Sequence, residues 1–317
     1  MATRSQREEE HGKLNKLRGE ALPGQVANFQ KIMNLPILGD NKRMTIPISG
    51  FACTQFDRTG NLGFFDLLRS FEVDRFINRK SEREKQIPWL SILESTTGNS
   101  VSMVVAHEVT VGKEMYERAA FNFPIKYQKE IGYVSGSSMS VIVNLLDMQD
   151  ERKLATSERH LAFRNRSTGQ RWILPEELKS RLNKFTAKEK TAVEQPPHRP
   201  AKKDEIFVHE MLTRASDLDM MLHVNQGSFV QFCLNCAAQA SLAGFYKNFQ
   251  GDIAWYNVKS AKVLHRGEAV AGEFLKVFTW EGFCHTLYFE IETKEQKILL
   301  QCTLTFYPRD ERQLAKL

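Results

Sequence analysis

The stretch S-D-L-D-M-M-L-H-V-N-Q at residues 216–226 decides the fold, because it joins two segments of different periodicity. The residues before it, I-F-V-H-E-M-L at 206–212, alternate as a β-strand does. The residues after it, G-S-F-V-Q-F-C-L-N-C-A-A-Q-A-S-L-A-G at 227–244, are apolar or small on nearly every side, which predicts a buried helix. Two carboxylates, a histidine and an asparagine thus lie at the start of that helix. They indicate either a functional site or a polar turn that caps the helix through Asn225 or Ser228.

The composition predicts a globular chain with no nucleic-acid or membrane-spanning part. A length of 317 residues suggests about two domains, and an apolar fraction of 42% is enough to form their cores. The net charge of +6 is spread along the chain, which argues against a nucleic-acid binder and is compatible with acidic carriers. No apolar run reaches the roughly 18 residues that a membrane span needs. Because the first residues are charged and lack an apolar core, we expect a cytoplasmic protein without a secretory or mitochondrial signal.

The five cysteines predict reduced thiols and no metal site. Cys233 and Cys236 form a C-x-x-C pair, but both lie inside the predicted buried helix rather than at its start, where a redox thiolate is stabilised. No second pair with zinc-ligand spacing accompanies them. We therefore interpret both as small apolar residues of the core.

The chain divides by composition into four parts. We expect an N-terminal extension at 1–40, a first domain at 41–175, a linker at 176–205 and a second domain at 206–310. The linker begins with a short charged helical pattern and continues as Q-P-P-H-R-P-A-K-K-D-E, which favours neither helix nor sheet. We expect residues 195–204 to be mobile and sensitive to proteases.

Both domains have the same predicted order of elements. Each has a strand, a turn with an aspartate, a buried helix and several strands with one buried face. The predicted strands after the helices lie at 100–111, 117–128, 139–145 and 160–164, and at 254–265, 269–280, 286–292 and 297–307. The turns align D-R-T-G-N-L at 57–62 with D-M-M-L-H-V at 219–224. The chain is therefore an internal duplication of an α+β unit in which an antiparallel sheet covers a helix.

At this point the residues resemble a known family. D-L-D-M-M-L-H-V-N-Q, followed by a buried helix, resembles the D-x-D-x-x-x-H-V-N-N signature of hotdog-fold acyl thioesterases, in the 4-hydroxybenzoyl-CoA thioesterase-like superfamily. The two-copy layout is most similar to plant and bacterial acyl-carrier-protein thioesterases. The resemblance implies a tandem double hotdog, in which two antiparallel sheets each wrap around a long central helix and join edge to edge as a pseudo-dimer. A monomer would then suffice, while a larger homo-oligomer stays open.

The resemblance also implies roles for residues of the second copy. Asp219 falls on the family's acidic catalytic position, where it would act as base or nucleophile. His223 and Asn225 fall on the histidine and asparagine of the signature. Gly227 and Ser228 open the central helix, whose N-terminal amides can stabilise an oxyanion.

Two departures from the family pattern bear on that mechanism. Met221 stands where the carrier-protein enzymes usually have asparagine, and the stretch K-V-L-H-R-G-E at 262–268 has no cysteine. That stretch offers His265 and Glu268 instead. His265 is equally well explained as a surface histidine at a strand end, and Glu268 as part of a strand connection.

Several residues outside the signature are further candidates for a functional or a structural role. Phe64, Leu68, Phe229 and Phe232 are candidates for the wall of an acyl pocket. Glu72 and Arg75 either face the site of the other copy or form an ion pair within one helix. Asp57 is either a lost catalytic acid or a turn residue, and we favour the turn.

The predicted function is hydrolysis of an acyl thioester on coenzyme A or acyl carrier protein, without a cofactor, in fatty acid or lipid metabolism. Thioester hydrolysis needs a carboxylate to attack the carbonyl or to activate water. The alternative is a non-hydrolytic acyl-thioester binding or scaffold protein with a degenerate hotdog site. A hotdog dehydratase is a weaker third possibility.

Overall fold

The computed structural model describes residues 38–39, 42–48, 50–57, 59–71, 89, 92, 100–118, 124–219 and 222–309. The first half contains β1 (Leu38–Gly39), β2 (Met44–Ile48), α1 (Phe64–Ser70), β3 (Ser100–Val111), α2 (Lys113–Arg118), β4 (Ile125–Val134), β5 (Ser138–Asp147) and β6 (Lys153–Asn165). Helix α3 (Glu176–Asn183) follows. The second half contains β7 (Phe207–Leu212), α4 (Gln226–Leu242), β8 (Val258–His265), β9 (Phe274–Glu281), β10 (Thr286–Thr293) and β11 (Ile298–Phe306).

The described strands form one antiparallel sheet in the order β1-β2-β4-β5-β6-β3-β8-β11-β10-β9-β7. The first half contributes β2-β4-β5-β6-β3, and the second contributes β7-β9-β10-β11-β8. Each half therefore places its strands in the order first, third, fourth, fifth and second. The halves meet where β3 pairs with β8, with Glu108 opposite Lys262. The prediction of an α+β double hotdog with sheets joined edge to edge is confirmed.

Helix α4 lies against the inner face of the sheet of the second half, where it contacts β7, β9 and β11. Cys233 and Cys236 are fully buried in this helix. Burial raises the pKa of the Cys236 thiol to about 12, so it stays protonated and unreactive at neutral pH. Both cysteines are apolar core residues, as the sequence predicted.

One predicted strand has the wrong bounds. Of residues 117–128, Glu117 and Arg118 belong to helix α2, and residues 125–128 are the start of β4, which continues to Val134. Met115 is fully buried from this helix, which shows the helical spacing that the strand pattern overlooked. Strand β4 then alternates between buried and half-buried residues along Ile125–Ile131.

The segment between α3 and β7 is extended, but it is not loosely attached as we expected. Arg199 forms ion pairs with Glu290 at 3.4 Å and with Glu292 at 3.0 Å, and its guanidinium lies 3.9 Å from the centre of the Phe278 ring. Further along the segment, Glu194 pairs with Lys262 of β8. The expectation of a mobile linker overlooked these ion pairs, in which Glu290 and Glu292 of the sheet hold Arg199 and Lys262 of the sheet holds Glu194.

Among the helices of the described ranges, none has the length and apolar character required to span a membrane. Residues 1–37 of the N-terminal extension, Glu72, Arg75 and Met221 lie outside the described residues.

Candidate active site

The turn before α4 is a closed hydrogen-bonded loop. The N–H of Asp219 donates to the carbonyl of His223 at 2.8 Å, and the N–H of Leu222 donates back to the carbonyl of Asp219 at 3.0 Å. Leu222 adopts φ 61°, a left-handed conformation that is rare for a branched side chain. The Asp217 carboxylate braces the start of the turn by accepting from the N–H of Arg214 at 2.7 Å. The turn thereby fixes the positions of Asp219 and His223 directly ahead of the helix.

The turn before α1 has the same bonds at the equivalent residues. The N–H of Asp57 donates to the carbonyl of Asn61 at 2.8 Å, and the N–H of Gly60 donates to the carbonyl of Asp57 at 3.0 Å. Gly60 has φ 78° where the second copy has Leu222. A bridge between Phe56 and Leu62 also matches the one between Leu218 and Val224. These bonds pair Asp57 with Asp219 and Asn61 with His223, as the alignment predicted.

The two equivalent aspartates each accept a hydrogen bond from the N–H four residues later in the chain. The Asp57 carboxylate accepts through Oδ1 from the Asn61 N–H at 3.2 Å, and also from the Thr59 hydroxyl at 2.6 Å and the Thr59 N–H at 2.8 Å. Asp57 is therefore a turn residue, in agreement with our preferred reading. The Asp219 carboxylate accepts the equivalent bond from the N–H of His223 at 3.4 Å.

Asn225 caps α4, because its Oδ1 accepts from the N–H of Gly227 at 2.7 Å. The next helical bond runs from the N–H of Phe229 to the Asn225 carbonyl. Gly227 is needed for space, because a Cβ atom there would lie 3.3 Å from the Phe65 ring of α1. The N-termini of the two central helices are therefore in contact at this point.

His223 and Glu268 form an ion pair, with Nε2 and Oε2 separated by 3.3 Å. The His223 side chain is 24% exposed and that of Glu268 is 49% exposed. Glu268 lies in the loop after β8, and this loop is tied to the turn by a bond from the N–H of Val224 to the Ala269 carbonyl. The structure therefore brings together Asp219, His223, Asn225 and Glu268 around the start of α4.

His265 has a different environment from either sequence reading. It is partly exposed as a residue, but its Nε2 atom is buried and has no hydrogen-bond partner among the described residues. Its ring packs edge-on against Phe229 of α4, with ring centres 6.4 Å apart. Desolvation lowers the pKa of His265 to about 4, so the imidazole is neutral at pH 7. The surface reading is wrong, because the ring packs inward under the helix.

The sequence reasoning missed Gln226 at the first position of α4. Its side-chain Oε1 is buried and accepts no hydrogen bond within the described part of the chain. A buried acceptor without a partner is costly and is commonly associated with a functional site. The family signature has asparagine at this position, and this difference could have drawn attention to it. Ser228, two residues later, is also buried.

A cavity of about 210 Å³ lies beside the first copy of the turn rather than the second. Asp57, Phe64, Asp66 and residues of α4 such as Asn235 line it. Burial raises the pKa of the Asp66 carboxyl, although Arg69 opposes this effect. Of the predicted acyl-pocket residues, Phe64 lines this cavity.

The other three predicted acyl-pocket residues do not line that cavity. Leu68, Phe229 and Phe232 are buried in the hydrophobic core. Their place in an acyl pocket stays a prediction.

No protein-family model and no curated protein matches the chain. Solved structures do match it. The 12:0-ACP thioesterase from Umbellularia californica superposes with a TM-score of 0.63 at 13% identity, over 84% of this chain and 98% of that one. An acyl-ACP thioesterase from Bacteroides thetaiotaomicron gives a TM-score of 0.58 at 13% identity, again over 84% and 98% of the two chains. This chain therefore has the double-hotdog fold that these acyl-ACP thioesterases share.

Proposed function

We propose that this protein hydrolyses acyl thioesters at the turn before α4. The observation that carries the proposal is the closed turn that holds Asp219 and His223 at the N-terminus of a buried helix. The equivalent turn of the first copy has the same two backbone hydrogen bonds but an asparagine in place of the histidine. This difference supports a single reactive site in the second half.

In this proposal the Asp219 carboxylate attacks the thioester carbonyl or removes a proton from the attacking water. The carbonyl oxygen gains negative charge as the tetrahedral intermediate forms. The N–H of Gly227 is already bound by Asn225, so the N–H groups of Gln226 and Ser228 are the candidates that would stabilise this oxygen.

His223 would move a proton between Asp219, water and the leaving thiolate. The Glu268 carboxylate orients the imidazole through its bond to Nε2. Because Glu268 is half exposed, this pair contributes little to folding stability, and the proposed role for it is to position His223. Glu268 would then act as a positioning residue for His223.

The proposed substrates are acyl groups on acyl carrier protein or coenzyme A. Both carriers are acidic, and the net charge of +6 would favour their approach. We propose that the protein works in the cytoplasm, in fatty acid or lipid metabolism. Because one chain holds both halves of the double hotdog, we propose that a monomer is active.

The test measures release of free thiol from acyl-CoA and acyl-carrier-protein substrates across a range of acyl lengths. Asp219→Asn keeps the size of the side chain but removes the basic oxygen, and we expect turnover to fall about 10²-fold or more. Asp57→Asn is the matched control, since Asp57 holds the equivalent place in the other turn. We expect that variant to keep the turnover of the wild type wherever circular dichroism shows it folded.

Two results would contradict the proposal. Full activity of folded Asp219→Asn on a substrate that the wild type hydrolyses would remove Asp219 from the chemistry. A wild-type protein that binds acyl thioesters but releases no thiol would favour the non-hydrolytic binding protein. Addition of water to an enoyl thioester would instead indicate a dehydratase.

A further inference from the structure

A group of acidic side chains lies on the outer face of the sheet, away from the candidate active site. Glu108 of β3 and Glu158 of β6 are directly opposite each other in the register of the two strands. Like charges in that arrangement destabilise a sheet, and Lys262 opposite Glu108 and Lys188 beside Glu158 offset part of this repulsion. Glu158 is also nine-tenths buried, so water screens its charge poorly.

His160 lies two residues beyond Glu158 on the same face of β6. Its Nε2 is 3.2 Å from Oε2 of Glu108 and 3.9 Å from Oε1 of Glu158. Its Nδ1 is 3.3 Å from the Tyr133 hydroxyl. The bond from His160 lowers the pKa of the Glu108 carboxyl, which keeps that group ionised. One imidazole nitrogen and two carboxylate oxygens thus lie within 4.8 Å of one another.

The carboxylate of Glu158 is satisfied on one oxygen only. Its Oε2 accepts from the Lys188 ammonium at 2.6 Å. Its Oε1 is buried and has no hydrogen-bond partner in the described ranges. Residue 132 is glycine, and a Cβ atom there would crowd this oxygen at 3.2 Å and lie closer still to the Ser140 hydroxyl. An unsatisfied buried carboxylate oxygen next to an imidazole nitrogen is suited to a metal ion.

We propose that Glu108, Glu158 and His160 bind a divalent transition-metal ion, with zinc as the representative ion. Imidazole nitrogen and carboxylate oxygen are both ordinary zinc ligands, and three protein ligands leave a position for water. Binding through Nε2 requires the tautomer of neutral His160 that carries its proton on Nδ1. In that tautomer Nδ1 donates to the Tyr133 hydroxyl.

The neighbours of these three residues match the outer contacts of known metal sites. A metal-bound histidine almost always donates its other N–H to an acceptor, and ligating carboxylates are themselves hydrogen-bonded. Tyr133 fills the first role and Lys188 the second. The N–H of Lys188 also donates to the carbonyl of Gly132 at 3.0 Å, which fixes this part of the segment after α3 on β4. All three proposed ligands lie on strands β3 and β6, and the ion has no part in the proposed hydrolysis.

The spacing of these three residues in the sequence does not predict a metal site. His160 and Glu158 are two residues apart, but Glu108 comes from another strand 50 residues earlier in the chain. Our expectation of no metal rested on the cysteines, and it did not consider ligands on neighbouring strands.

The experiment measures zinc binding to the full chain at pH 7 against a chromophoric chelator. Every protein carries Cys284→Ser, because Cys284 is an exposed thiol that would compete for zinc. We expect one equivalent of zinc to bind the parent and to raise its melting temperature. Glu158→Gln and His160→Gln should weaken binding by more than the roughly 10- to 100-fold that loss of an outer contact costs. Tyr133→Phe removes such an outer contact and should fall in that 10- to 100-fold range.

Two control variants lie on the same segment after α3. Glu194→Gln and His198→Gln remove an exposed carboxylate and an exposed imidazole, and both should bind zinc as the parent does. If a ligand variant does not fold by circular dichroism, Glu108→Gln replaces it. The proposal is overturned if the folded parent binds no zinc, or if folded Glu158→Gln and His160→Gln bind it as tightly as the controls.

Discussion

The neutral buried imidazole of His265 should make the stability of the protein depend on pH. Its pKa is about 4 in the folded protein against 6.5 for an ordinary histidine. Because the folded-state value is the lower one, the unfolded chain binds the proton more tightly. The contribution of His265 to stability is therefore complete above about pH 6.5, and it is lost as the pH falls toward 4.

The size of this loss follows from the two pKa values. A pKa difference of one unit corresponds to about 1.4 kcal/mol of unfolding free energy. Lowering the pH from 6.5 to 4.5 covers most of the interval between the two pKa values, which gives a loss of about 2.5 kcal/mol. His265 keeps some solvent exposure, so we expect about 2 kcal/mol. His265→Leu keeps an apolar group against Phe229 and cannot titrate. Its free energy of unfolding should fall less than that of the wild type over the same pH range.

Urea unfolding followed by circular dichroism at pH 6.5, 5.5 and 4.5 measures the effect. Between pH 6.5 and pH 4.5, the free energy of unfolding of the wild type should fall by about 2 kcal/mol more than that of His265→Leu. His198→Leu is the control, because His198 is exposed on the segment after α3 and its variant should follow the wild type. Parallel curves for the wild type and His265→Leu would refute the reasoning, since the buried imidazole would then not be the group that titrates.

Two further predictions concern parts of the fold that fix the site and the segment after α3. Asn225→Ala removes the cap from the Gly227 N–H, and it should lower the free energy of unfolding by about 1 kcal/mol in thermal melts while Asn225→Asp loses far less. Arg199→Met leaves Glu290 and Glu292 buried without their cation and should cost about 3 kcal/mol, the lower end for a broken buried ion pair. Limited proteolysis should cut residues 195–204 readily in that variant and slowly in the wild type. Rapid cleavage of the wild type at the same place would contradict the observed packing.

Much of the fold was readable from local patterns. The alternation in Ser100–Val111 and the even apolar character of Gln226–Leu242 identified a strand and a helix close to their observed bounds. The aligned turns at Asp57 and Asp219 identified the duplication, because in both halves an aspartate lies in the turn between a strand and a buried helix. The strand predicted at 117–128 had the wrong bounds, because helix α2 and Pro124 interrupt what looks like continuous alternation.

Contacts between distant residues were not readable in the same way. The partner of His223 was one of two candidates in the stretch 262–268, and only the fold separates exposed Glu268 from His265 under the helix. The segment around Arg199 has the composition of a loose linker. Its attachment depends on two glutamates that lie about 90 residues away in the chain and face outward on the sheet.

The junction of β3 with β8 has a consequence for the order in which the chain is made. Strand β3 has β6 on one side and β8 on the other, and β8 belongs to the half that the ribosome produces last. During synthesis the first half therefore has a long strand with one unpaired edge, which is a template for pairing with another nascent chain. Glu108 places a charge on that edge, which opposes such pairing. The arrival of Lys262 opposite Glu108 then makes the correct partner the electrostatically favoured one.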